Sequence, residues 1–587
     1  MAFLTTSYAV PICTLLLITF YVYRKLLPTP LPGIPYNRDA PSRLFGDLAR
    51  LEAASPTTTD MSTVVFSFAK ELRSPIAQIC FTSFSKPWVI IDDPREAEDI
   101  VMRRIKDFDR SEVTTGYFRS VLPKSTMSQV TTHELRAQKR LWDVWGPQFM
   151  NKVVARNILA AGKELVELWK IKVGDGASFD PAPDFECTAL DVISAAVLGT
   201  KIGALRNEIN KAKKELSPGE TEETEMDPTM ATIRKGMDYI GKIIKEGNQA
   251  LFPDLITLRL RLSPSHRRFM QAAYSAIQSL MRKSCDKLEQ INTSAMDEDG
   301  EEAGQELDTC VMDLVLRREI LTAKRSGKLA SPPDPINNDS ILQEIYLVLL
   351  GGHDSTAYSL TWFSKFAALF PDEQTKLRDS LYDALGFEHG CGGGKIVEQL
   401  TAAKLVETDI PHLNAYVHEL IRCSATAGPI ERMAAVDTVV FGYHIPKGTH
   451  MLLNTKIQDA HVRSLKDIPE TTRSPTSQSA HGKTRGGLLG DWGHDLDGFN
   501  PARWLVKNGS TGKEVFDGRA LPSLAFGGGF RGCPGKKLAV MDLRIMVAVL
   551  LLSFEFSLAE DENARSLEAE ENIFRRPQYR EVRLRTL

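Results

Sequence analysis

The sequence lacks an excess of charge of either sign, since its 587 residues carry a formal net charge of −3. Without a strongly basic surface, nothing indicates a protein that binds nucleic acid. Internal repeats are also absent, and so is any convincing boundary between large domains. The eight cysteines are scattered without the paired spacing of metal sites. They indicate free thiols in a reducing compartment rather than a disulfide framework.

Charged side chains are missing from Ala2 to Tyr23, and Arg24 and Lys25 follow directly. An apolar stretch of about 20 residues is long enough to span a bilayer. Basic residues behind such a stretch place the following chain in the cytosol. A cleaved signal peptide is the alternative, but its basic start and small-residue cleavage site are missing. We therefore predict an uncleaved transmembrane anchor over residues 1–25 and a stiff, proline-rich hinge over residues 26–36.

Glycine is concentrated in one loop near the C-terminus, where residues 526–535 read Phe-Gly-Gly-Gly-Phe-Arg-Gly-Cys-Pro-Gly. Glycine lets backbone approach a bulky ligand closely. Cys533 stands just before a long apolar stretch that predicts a helix, and a helix N-terminus stabilises a thiolate. With Arg531 nearby to pair with an anionic group, these residues suit a haem whose iron takes an axial cysteine. A buried cysteine in a turn before a core helix is the alternative.

The loop is similar to the haem-binding loop of the cytochrome P450 family, F-x-x-G-x-R-x-C-x-G, and matches it at Phe526, Gly529, Arg531, Cys533 and Gly535. The resemblance implies haem b as the cofactor, with the Cys533 thiolate as the ligand of the iron. It also places Phe526, Arg531 and Gly535 among the residues that bind the haem. The implied fold is mainly α-helical with small antiparallel β-sheets, and one haem domain covers residues 37–587. The proline-rich hinge is similar to that of fungal members.

A second motif lies in a long predicted helix over residues 340–369, at whose start Ser340 and Gln343 form a capping box. Its middle reads Gly-Gly-His-Asp-Ser-Thr over residues 351–356 and resembles the family's central-helix motif, [A/G]-G-x-[D/E]-T-[T/S]. The resemblance implies Asp354 and Ser355 as catalytic residues that relay protons through water. Ser355 replaces the usual threonine, so the hydroxyl is kept while the methyl that restricts its rotamer is lost. A kinked core helix with Asp354 satisfied by a neighbour is the alternative.

Glu419 and Arg422 are three residues apart on a predicted helix, where their side chains can pair. By itself, this spacing is typical of a surface salt bridge. Residues 499–504 read Phe-Asn-Pro-Ala-Arg-Trp and resemble the family's F-x-P-x-R-[F/W] motif. The resemblance therefore implies that Glu419, Arg422 and Arg503 form a buried triad that holds the core on the haem side.

The resemblance also assigns basic residues to the haem propionates. Arg432 lies ten residues beyond Arg422, where family members place such an arginine. Near residue 135 the family often has W-x-x-x-R, but this chain has Leu135 and Lys139 at those two positions. Lys139 or Arg140 is still expected to contact a propionate. A solvated basic face is the alternative for these two residues.

Other patterns predict local structure. Short β-type runs predict strands at residues 87–91, 438–441 and 450–453. Three stretches rich in polar or acidic residues, 215–228, 297–306 and 464–490, are predicted to be solvated loops. Residues 111–127 are predicted to be a loop whose aromatic side chains, Tyr117 and Phe118, line an apolar substrate pocket. Packing of these aromatics into the core is the alternative.

The resemblance to this family implies a monooxygenase that inserts one atom of O₂ into a hydrophobic small molecule. Since no flavin domain fits beside the haem domain in this length, electrons are expected from NADPH through a separate membrane-bound cytochrome reductase, with cytochrome b5 as a second candidate donor. The anchor implies contact with lipid at the endoplasmic reticulum membrane and a cytosolic catalytic domain. The fungal features indicate secondary-metabolite biosynthesis. A haem-thiolate isomerase or dehydratase that uses no O₂, and a non-catalytic haem sensor on the membrane, are the alternatives.

Overall fold

The computed structural model describes residues 2–54, 60–82, 86–173, 176–216, 226–249, 253–294, 309–325, 334–389, 393–456, 468–481, 496–521, 523–571 and 573–587. The chain forms two compact units. Unit 1 comprises Met1–Ser111, Gly428–Asp497 and Pro522–Gly532, and unit 2 comprises Glu112–Ala427, Gly498–Leu521 and Cys533–Leu587. The predicted extents of the hinge and of a single haem domain stay predictions.

The helices in the described part of the chain are α1 (Ala2–Lys25), α2 (Leu48–Ala54), α3 (Met61–Glu71), α4 (Pro94–Met102), α5 (Glu112–Arg119), α6 (His133–Leu141), α7 (Pro147–Phe149), α8 (Ala155–Lys172), α9 (Ala182–Leu198), α10 (Ala204–Leu216), α11 (Pro228–Gln249), α12 (Pro253–Leu262), α13 (Pro264–Ser294), α14 (Val311–Arg325), α15 (Asp339–Leu369), α16 (Pro371–Leu385), α17 (Gly393–Gln399), α18 (Ala402–Glu407), α19 (Pro411–Ser424), α20 (Pro475–His481) and α21 (Lys536–Ser553). The strands there are β1 (Ile76–Ile79), β2 (Trp88–Ile91), β3 (Phe108–Asp109), β4 (Ile430–Ala434), β5 (Thr438–Val440), β6 (Tyr443–Ile445), β7 (His450–Leu453), β8 (Leu505–Lys507), β9 (Glu514–Phe516), β10 (Phe554–Leu558), β11 (Ala569–Glu571), β12 (Arg575–Pro577) and β13 (Val582–Thr586).

A five-stranded sheet forms the centre of unit 1, with the strand order β1-β2-β7-β4-β3. Neighbouring strands are antiparallel, as predicted, except that β2 and β7 run parallel. Strands β2, β5 and β7 lie where the β-type residue patterns predict them. Apolar side chains such as Ile91 and Leu453 are fully buried, so the sheet forms part of the core of this unit.

Residues 26–36 are held against the sheet of unit 1 by one buried side chain. The Gln78 amide, on β1, donates to the carbonyl oxygens of Leu31 (2.9 Å) and Ile34 (2.8 Å) and accepts the N–H of Leu31 (2.7 Å). Such a partner is needed because a proline-rich segment cannot pair its own buried backbone groups. The predicted hinge is thus fastened to unit 1.

Residues 468–481 fall within a stretch predicted to be a solvated loop. Many of them are exposed, but the stretch contains a helix and the prediction is wrong for Arg473 and Ser474, which are buried. The Arg473 guanidinium lies against the Asp93 carboxylate with both N···O distances at 2.9 Å. Ser474 donates to Asp99 (2.6 Å), and all four side chains are buried. These polar contacts attach the segment and its helix α20 to α4. Residues 464–467 and 482–490 lie outside the described residues, as do residues 217–225 and 297–306 of the other predicted loops.

Unit 2 is mainly helical, and its helix α15 runs for 31 residues against α9, α21 and α19. Helix α21 is apolar and almost wholly buried over its second half, from Ile545 to Ser553. The sheets described in this unit are three antiparallel pairs, β8 with β9, β10 with β13 and β11 with β12. A mainly α-helical protein with small sheets agrees with the prediction from the sequence.

The start of α15 differs from the predicted capping box. Asn338 is the residue before the helix, and its side chain accepts the N–H of Ser340 at 3.0 Å. Asparagine caps a helix as well as serine does, so Ser340 is displaced into the first turn. The Gln343 side chain is then free for another partner and accepts the N–H of Lys124 at 2.6 Å.

Helix α1 covers the residues predicted to be an anchor. None of the helices in the described part of the chain is both long enough and apolar enough to cross a membrane. The predicted transmembrane span over residues 1–25 is therefore not supported.

Candidate active site

Cys533 precedes helix α21 in unit 2, as the sequence predicts. Its side chain keeps exposed surface, while the N–H groups of Gly535 and Lys536 donate to the sulfur. Part of the side chain is nevertheless shielded from water, and this burial raises the pKa of the thiol. The two backbone donors and the charges of Lys139 and Lys536 act in the opposite direction by stabilising the thiolate. The sulfur is therefore hydrogen-bonded on one side and open on the other.

The donor set around Cys533 fits a haem. No group of three or more His, Cys, Asp or Glu side chains in the described part of the chain is placed to hold a metal ion. A single cysteine sulfur with open surface suits a metal whose other ligands come from a porphyrin. Hydrogen bonds from backbone N–H groups to the sulfur are the usual means by which a protein tunes such a ligand.

Unit 1 contains two buried arginines, Arg432 and Arg531, whose positive charges act on each other. Arg531 donates to Asp109 from Nε (3.2 Å) and Nη2 (3.0 Å). Burial and then the nearby charge of Arg531 lower the pKa of Arg432 to about 10, against the attraction of Asp109 and Glu431. Burial also lowers the pKa of Arg531. Two buried guanidinium groups that repel each other fit a ligand with two carboxylates.

Gly529 of the motif is required by packing within unit 1. Its φ is +59°, a left-handed conformation that favours glycine, and an added Cβ would overlap the carbonyl oxygen of Val101 at the end of α4. The sequence predicts that glycine gives a ligand room against the backbone. At this position, the neighbour that requires glycine is the protein's own helix. Phe526 of the same loop is half-buried.

The two basic residues of α6 differ in their surroundings. Lys139 is half-buried, and its charge acts on the Cys533 sulfur within unit 2. Arg140 is exposed. Leu135, which replaces the family's tryptophan, is fully buried. Lys139 thus lies in the electrostatic range of the cysteine, whereas nothing places Arg140 there.

The adjacent glycines of α15 have different environments. An added Cβ on Gly352 would lie 2.5 Å from Cδ1 of Ile193 on α9, so this glycine permits close helix packing. Among the described residues, an added Cβ on Gly351 would meet no atom within 4 Å outside the neighbouring backbone of its own helix. Only Gly351 therefore offers the open space that the sequence predicts for both.

Asp354 contacts a residue that the sequence analysis does not single out. Its carboxylate oxygen Oδ1 lies 2.9 Å from Nδ1 of His353, and 38% of its side chain remains exposed. Nε2 of His353 lies 3.1 Å from the carbonyl oxygen of Glu186 on α9. The Ser355 hydroxyl donates to the carbonyl oxygen of Gly351 (2.6 Å), one turn earlier in the helix. Asp354 is thus both satisfied by a neighbour and accessible.

The predicted triad is formed in unit 2. The Glu419 carboxylate has no exposed surface and accepts hydrogen bonds from Arg422 (both 2.8 Å) and from Nε of Arg503 (3.0 Å). The N–H of Asn500 (2.8 Å) and Nε1 of Trp504 (2.9 Å) also donate to it. The surface-pair alternative is therefore excluded. Trp504 belongs to the same sequence motif as Arg503, but the sequence does not predict its hydrogen bond to Glu419.

The predicted loop over residues 111–127 contains helix α5. Gly247 of α11 packs against Cβ of Tyr117, and α5 also contacts α12. Val121 and Leu122 are buried in the core, while Tyr117 and Phe118 are half-buried. The two aromatics of the predicted pocket therefore keep accessible surface, and their role in substrate binding stays a prediction.

The family model of cytochrome P450 matches residues 55–457 and 494–583. Cytochrome P450 monooxygenase GME11363 from Pestalotiopsis microspora is 29% identical over 99% of this chain and 98% of its own length. Cytochrome P450 monooxygenase xilC from Penicillium rubens is 31% identical over 92% of this chain and 90% of its own length. Cytochrome P450 monooxygenase TRI13 from Fusarium sporotrichioides is 28% identical over 93% of both chains.

Solved structures show the same fold. The crystal structure of a cytochrome P450 has a TM-score of 0.63 at 17% identity and covers 95% of this chain and 100% of its own. The haem domain of cytochrome P450DA has a TM-score of 0.57 at 15% identity and covers 96% of this chain and 98% of its own. The predicted fold class is confirmed. The chain therefore belongs to the cytochrome P450 family, whose members are haem-thiolate monooxygenases that use O₂ and electrons supplied by a reductase.

Proposed function

We propose that this chain inserts one oxygen atom into a hydrophobic small molecule, with the Cys533 thiolate as the axial ligand of haem b. The observation that carries the proposal is the Cys533 sulfur, which keeps exposed surface while the N–H groups of Gly535 and Lys536 point at it. Such a sulfur can be held as a thiolate on its hydrogen-bonded side and bind iron on its open side.

Five further residues hold the haem in this proposal. Arg432 and Arg531 pair with its propionates, and both are buried cations of the kind that bind carboxylates. Lys139 adds positive charge near the sulfur, and Phe526 and Gly535 flank the cysteine loop. Arg140 is exposed, so its assignment to a propionate rests on the family resemblance alone.

Bound haem supplies the activation of O₂, and one oxygen atom enters a C–H bond of the substrate while the other leaves as water, with two electrons and two protons consumed. Asp354 provides an ionisable carboxyl with accessible surface on α15. The Ser355 hydroxyl already donates to Gly351, so its oxygen is left to accept a hydrogen bond from water. Asp354 and Ser355 together move protons into the site in this proposal.

The substrate is hydrophobic and enters beside Gly351, where the helix surface is open. Electrons come from NADPH through a separate cytochrome reductase, with cytochrome b5 as a second candidate donor. The fungal relatives support a place in fungal secondary-metabolite biosynthesis. A location at the endoplasmic reticulum membrane stays a prediction.

The ligand assignment is tested by replacing the cysteine. We expect the reduced carbon monoxide complex of the wild type to absorb at the position typical of thiolate-ligated haem, and Cys533→His to lose that band. Cys13→His changes another exposed cysteine and is the matched control, which should keep the band. A band that survives in Cys533→His would mean that another residue is the ligand.

The reaction class is tested by product analysis after co-expression with a reductase and a panel of hydrophobic precursors. We expect products that carry one oxygen atom from ¹⁸O₂ and form only with NADPH. Product that forms without NADPH would favour an isomerase or dehydratase instead. NADPH that stays unconsumed with every compound would favour a non-catalytic haem sensor.

A further inference from the structure

His353 and Asp354 contact each other although they are consecutive on helix α15. Consecutive side chains on a helix point about 100° apart and do not normally face each other. Here Nδ1 of His353 lies 2.9 Å from Oδ1 of Asp354, so the two side chains turn toward one another. Only 19% of the His353 side chain is exposed, against 38% for Asp354. The more buried member of the pair is therefore the histidine.

The contact made by the other ring nitrogen of His353 indicates which nitrogen carries hydrogen. Nε2 is 3.1 Å from the backbone carbonyl oxygen of Glu186. A carbonyl oxygen only accepts, so Nε2 must carry hydrogen and donate. A neutral ring protonated at Nε2 would turn the lone pair of Nδ1 toward the carboxylate of Asp354. A ring that also carries hydrogen on Nδ1, the imidazolium, instead donates to Oδ1 of Asp354 across the 2.9 Å contact.

The charges around the pair favour a proton at this place. Burial acts to lower the pKa of His353, but the hydrogen bond and charge of Asp354, with the charge of Glu186, outweigh it and raise the pKa above its ordinary value. Glu186 faces the ring from α9, and burial raises the pKa of its carboxyl group. Tyr358, one turn further along α15, has its pKa raised to about 12, by burial and then by Asp354.

Glu186 is held by ionic contacts in unit 2. Arg576 on β12 reaches Glu186 (3.5 Å) and Glu570 (3.0 Å). Arg580 joins Glu570 (3.0 Å) to Asp180 (2.6 Å). All these side chains are partly exposed, so this chain of ion pairs is in contact with solvent. The carbonyl oxygen that orients His353 thus belongs to a residue fixed at both its backbone and its side chain.

We propose that His353 is a positioning residue that shares a proton with Asp354 and reloads it during oxygen reduction. This inference rests on the proposed monooxygenase function and on Asp354 as a proton donor. In the imidazolium form, the Nδ1–H bond of His353 breaks and an O–H bond forms at Oδ1 of Asp354, which leaves the ring neutral with its hydrogen on Nε2. Asp354 then passes this proton to water in the site and becomes a carboxylate again. Nδ1 takes a proton from hydronium in bulk solvent, and the imidazolium–carboxylate pair is restored.

The test uses His353→Gln, whose amide can still donate to the Glu186 carbonyl but cannot carry the proton. With NADPH, a reductase and no added substrate, the measurement is NADPH oxidised per O₂ consumed. One NADPH per O₂ means that all oxygen leaves as peroxide, and two mean that it is reduced to water. We expect the wild-type ratio to fall as pH rises above about 6.5, the ordinary pKa of histidine. The His353→Gln ratio should stay near one and be flat with pH.

Two variants sharpen this experiment. His389→Gln replaces an exposed histidine that faces Asp383 at 3.1 Å, so it removes a matched His–Asp pair outside the site and should behave like the wild type. Asp354→Asn should lower the ratio as His353→Gln does, and combining the two should add nothing further, because they break one relay. Additive effects would show that His353 acts elsewhere.

Stability supplies a readout that does not depend on turnover. A raised histidine pKa contributes stability that is fully present below about pH 6.5 and is lost as pH rises through the folded-state pKa. The midpoint of thermal unfolding should therefore differ most between wild type and His353→Gln near pH 6, and little near pH 9. A difference that is the same at every pH would mean a packing role and overturn the proposal.

Each outcome separates this inference from the proposed function. Loss of the thiolate-type carbon monoxide band in the wild type would sink the monooxygenase assignment whatever His353 does. A normal band in His353→Gln with a wild-type ratio at every pH would sink only the His353 proposal. If His353→Gln does not take up haem, the wild type is compared with Asp354→Asn instead. The proposal then requires that the ratio of NADPH oxidised to O₂ consumed falls with rising pH in the wild type and does not change with pH in Asp354→Asn.

Discussion

Glu419 is a single carboxylate without exposed surface, and it faces two guanidinium groups. Burial acts to raise the pKa of this carboxyl, but the hydrogen bond and charge of Arg422, followed by the N–H of Asn500 and the charge of Arg503, outweigh it and lower the pKa. The side chain is therefore ionised throughout the neutral range. Removing it would leave two buried cations without a counterion, which is the costly way to break a buried ion pair.

Glu419→Ala is expected to prevent stable haem uptake, because the stranded charges of Arg422 and Arg503 cost about 3–5 kcal/mol. The measurement is haem per purified protein, taken from absorbance. Glu373→Ala is the matched control. Glu373 pairs with Lys376, three residues further along its helix and exposed, so this variant loses a surface ion pair and should bind haem normally. Normal haem content in Glu419→Ala would contradict the structural role of the triad.

Motif spacing in the sequence predicts the residues of the triad and of the cysteine loop, but not every residue that contacts them. The triad and the cysteine loop could be located because each motif lies within a few residues. Asp109 could not be assigned to Arg531, since the two are 422 positions apart and meet only through the sheet of unit 1. His353 occupies the variable position of its motif, and its importance depends on a carbonyl oxygen of another helix.

For helix α15, too, the sequence predicts which residues are present but not what packs against them. Its extent, its adjacent glycines and its ionisable residue follow from the sequence. The reason for each glycine does not, because it depends on what packs against that face: Ile193 against Gly352, and open space beside Gly351. The sequence predicts Ser340 as the helix cap, whereas the structure has Asn338 in that role. Both residue types can cap a helix, and Gln343, the predicted partner of Ser340, instead binds the N–H of Lys124.

Gly352→Ala is expected to lower the midpoint of thermal unfolding relative to Gly351→Ala. Alanine gains about 1 kcal/mol of helix propensity over glycine at either position. At Gly352 its Cβ would press on the buried Ile193, and overpacking costs about 1–3 kcal/mol. Ile193→Val removes the nearest atom, Cδ1, and should restore part of the loss in Gly352→Ala. Equal midpoints for the two alanine variants would show that α9 yields at this contact.

Across the whole molecule, each unit contains a buried carboxyl group whose charged form is disfavoured. Burial, followed by the charges of Asp99 and Asp93, raises the pKa of Glu96 in unit 1 to about 7. Burial alone raises the pKa of Asp542 in unit 2 to about 7. Oδ1 of Asp542 has no hydrogen-bond partner among the described residues. Glu419 is the opposite case, because its pKa is lowered.

The pH dependence of stability follows from these signs. Between about pH 4, where the unfolded carboxyl groups titrate, and pH 7, the folded protein keeps protons on Glu96 and Asp542 that the unfolded chain gives up. Their contribution is therefore present at low pH and lost as pH rises through about 7. Below about pH 4 the contribution of Glu419 is lost instead. We expect the free energy of unfolding to be highest near pH 5.

Glu96→Gln and Asp542→Asn are expected to reduce the fall in thermal midpoint between pH 5 and pH 8, because each removes a charge that the folded state must bury. Between pH 5 and the folded pKa of about 7, each group contributes on the order of 3 kcal/mol at most. Since the two residues lie in different units, their effects should add. Glu52→Gln in unit 1 and Glu562→Gln in unit 2 replace exposed acids and should leave the pH profile unchanged. A wild-type midpoint that rises steadily from pH 5 to pH 8 would contradict the assignment, because it would mean that both carboxyl groups ionise in the folded protein without cost.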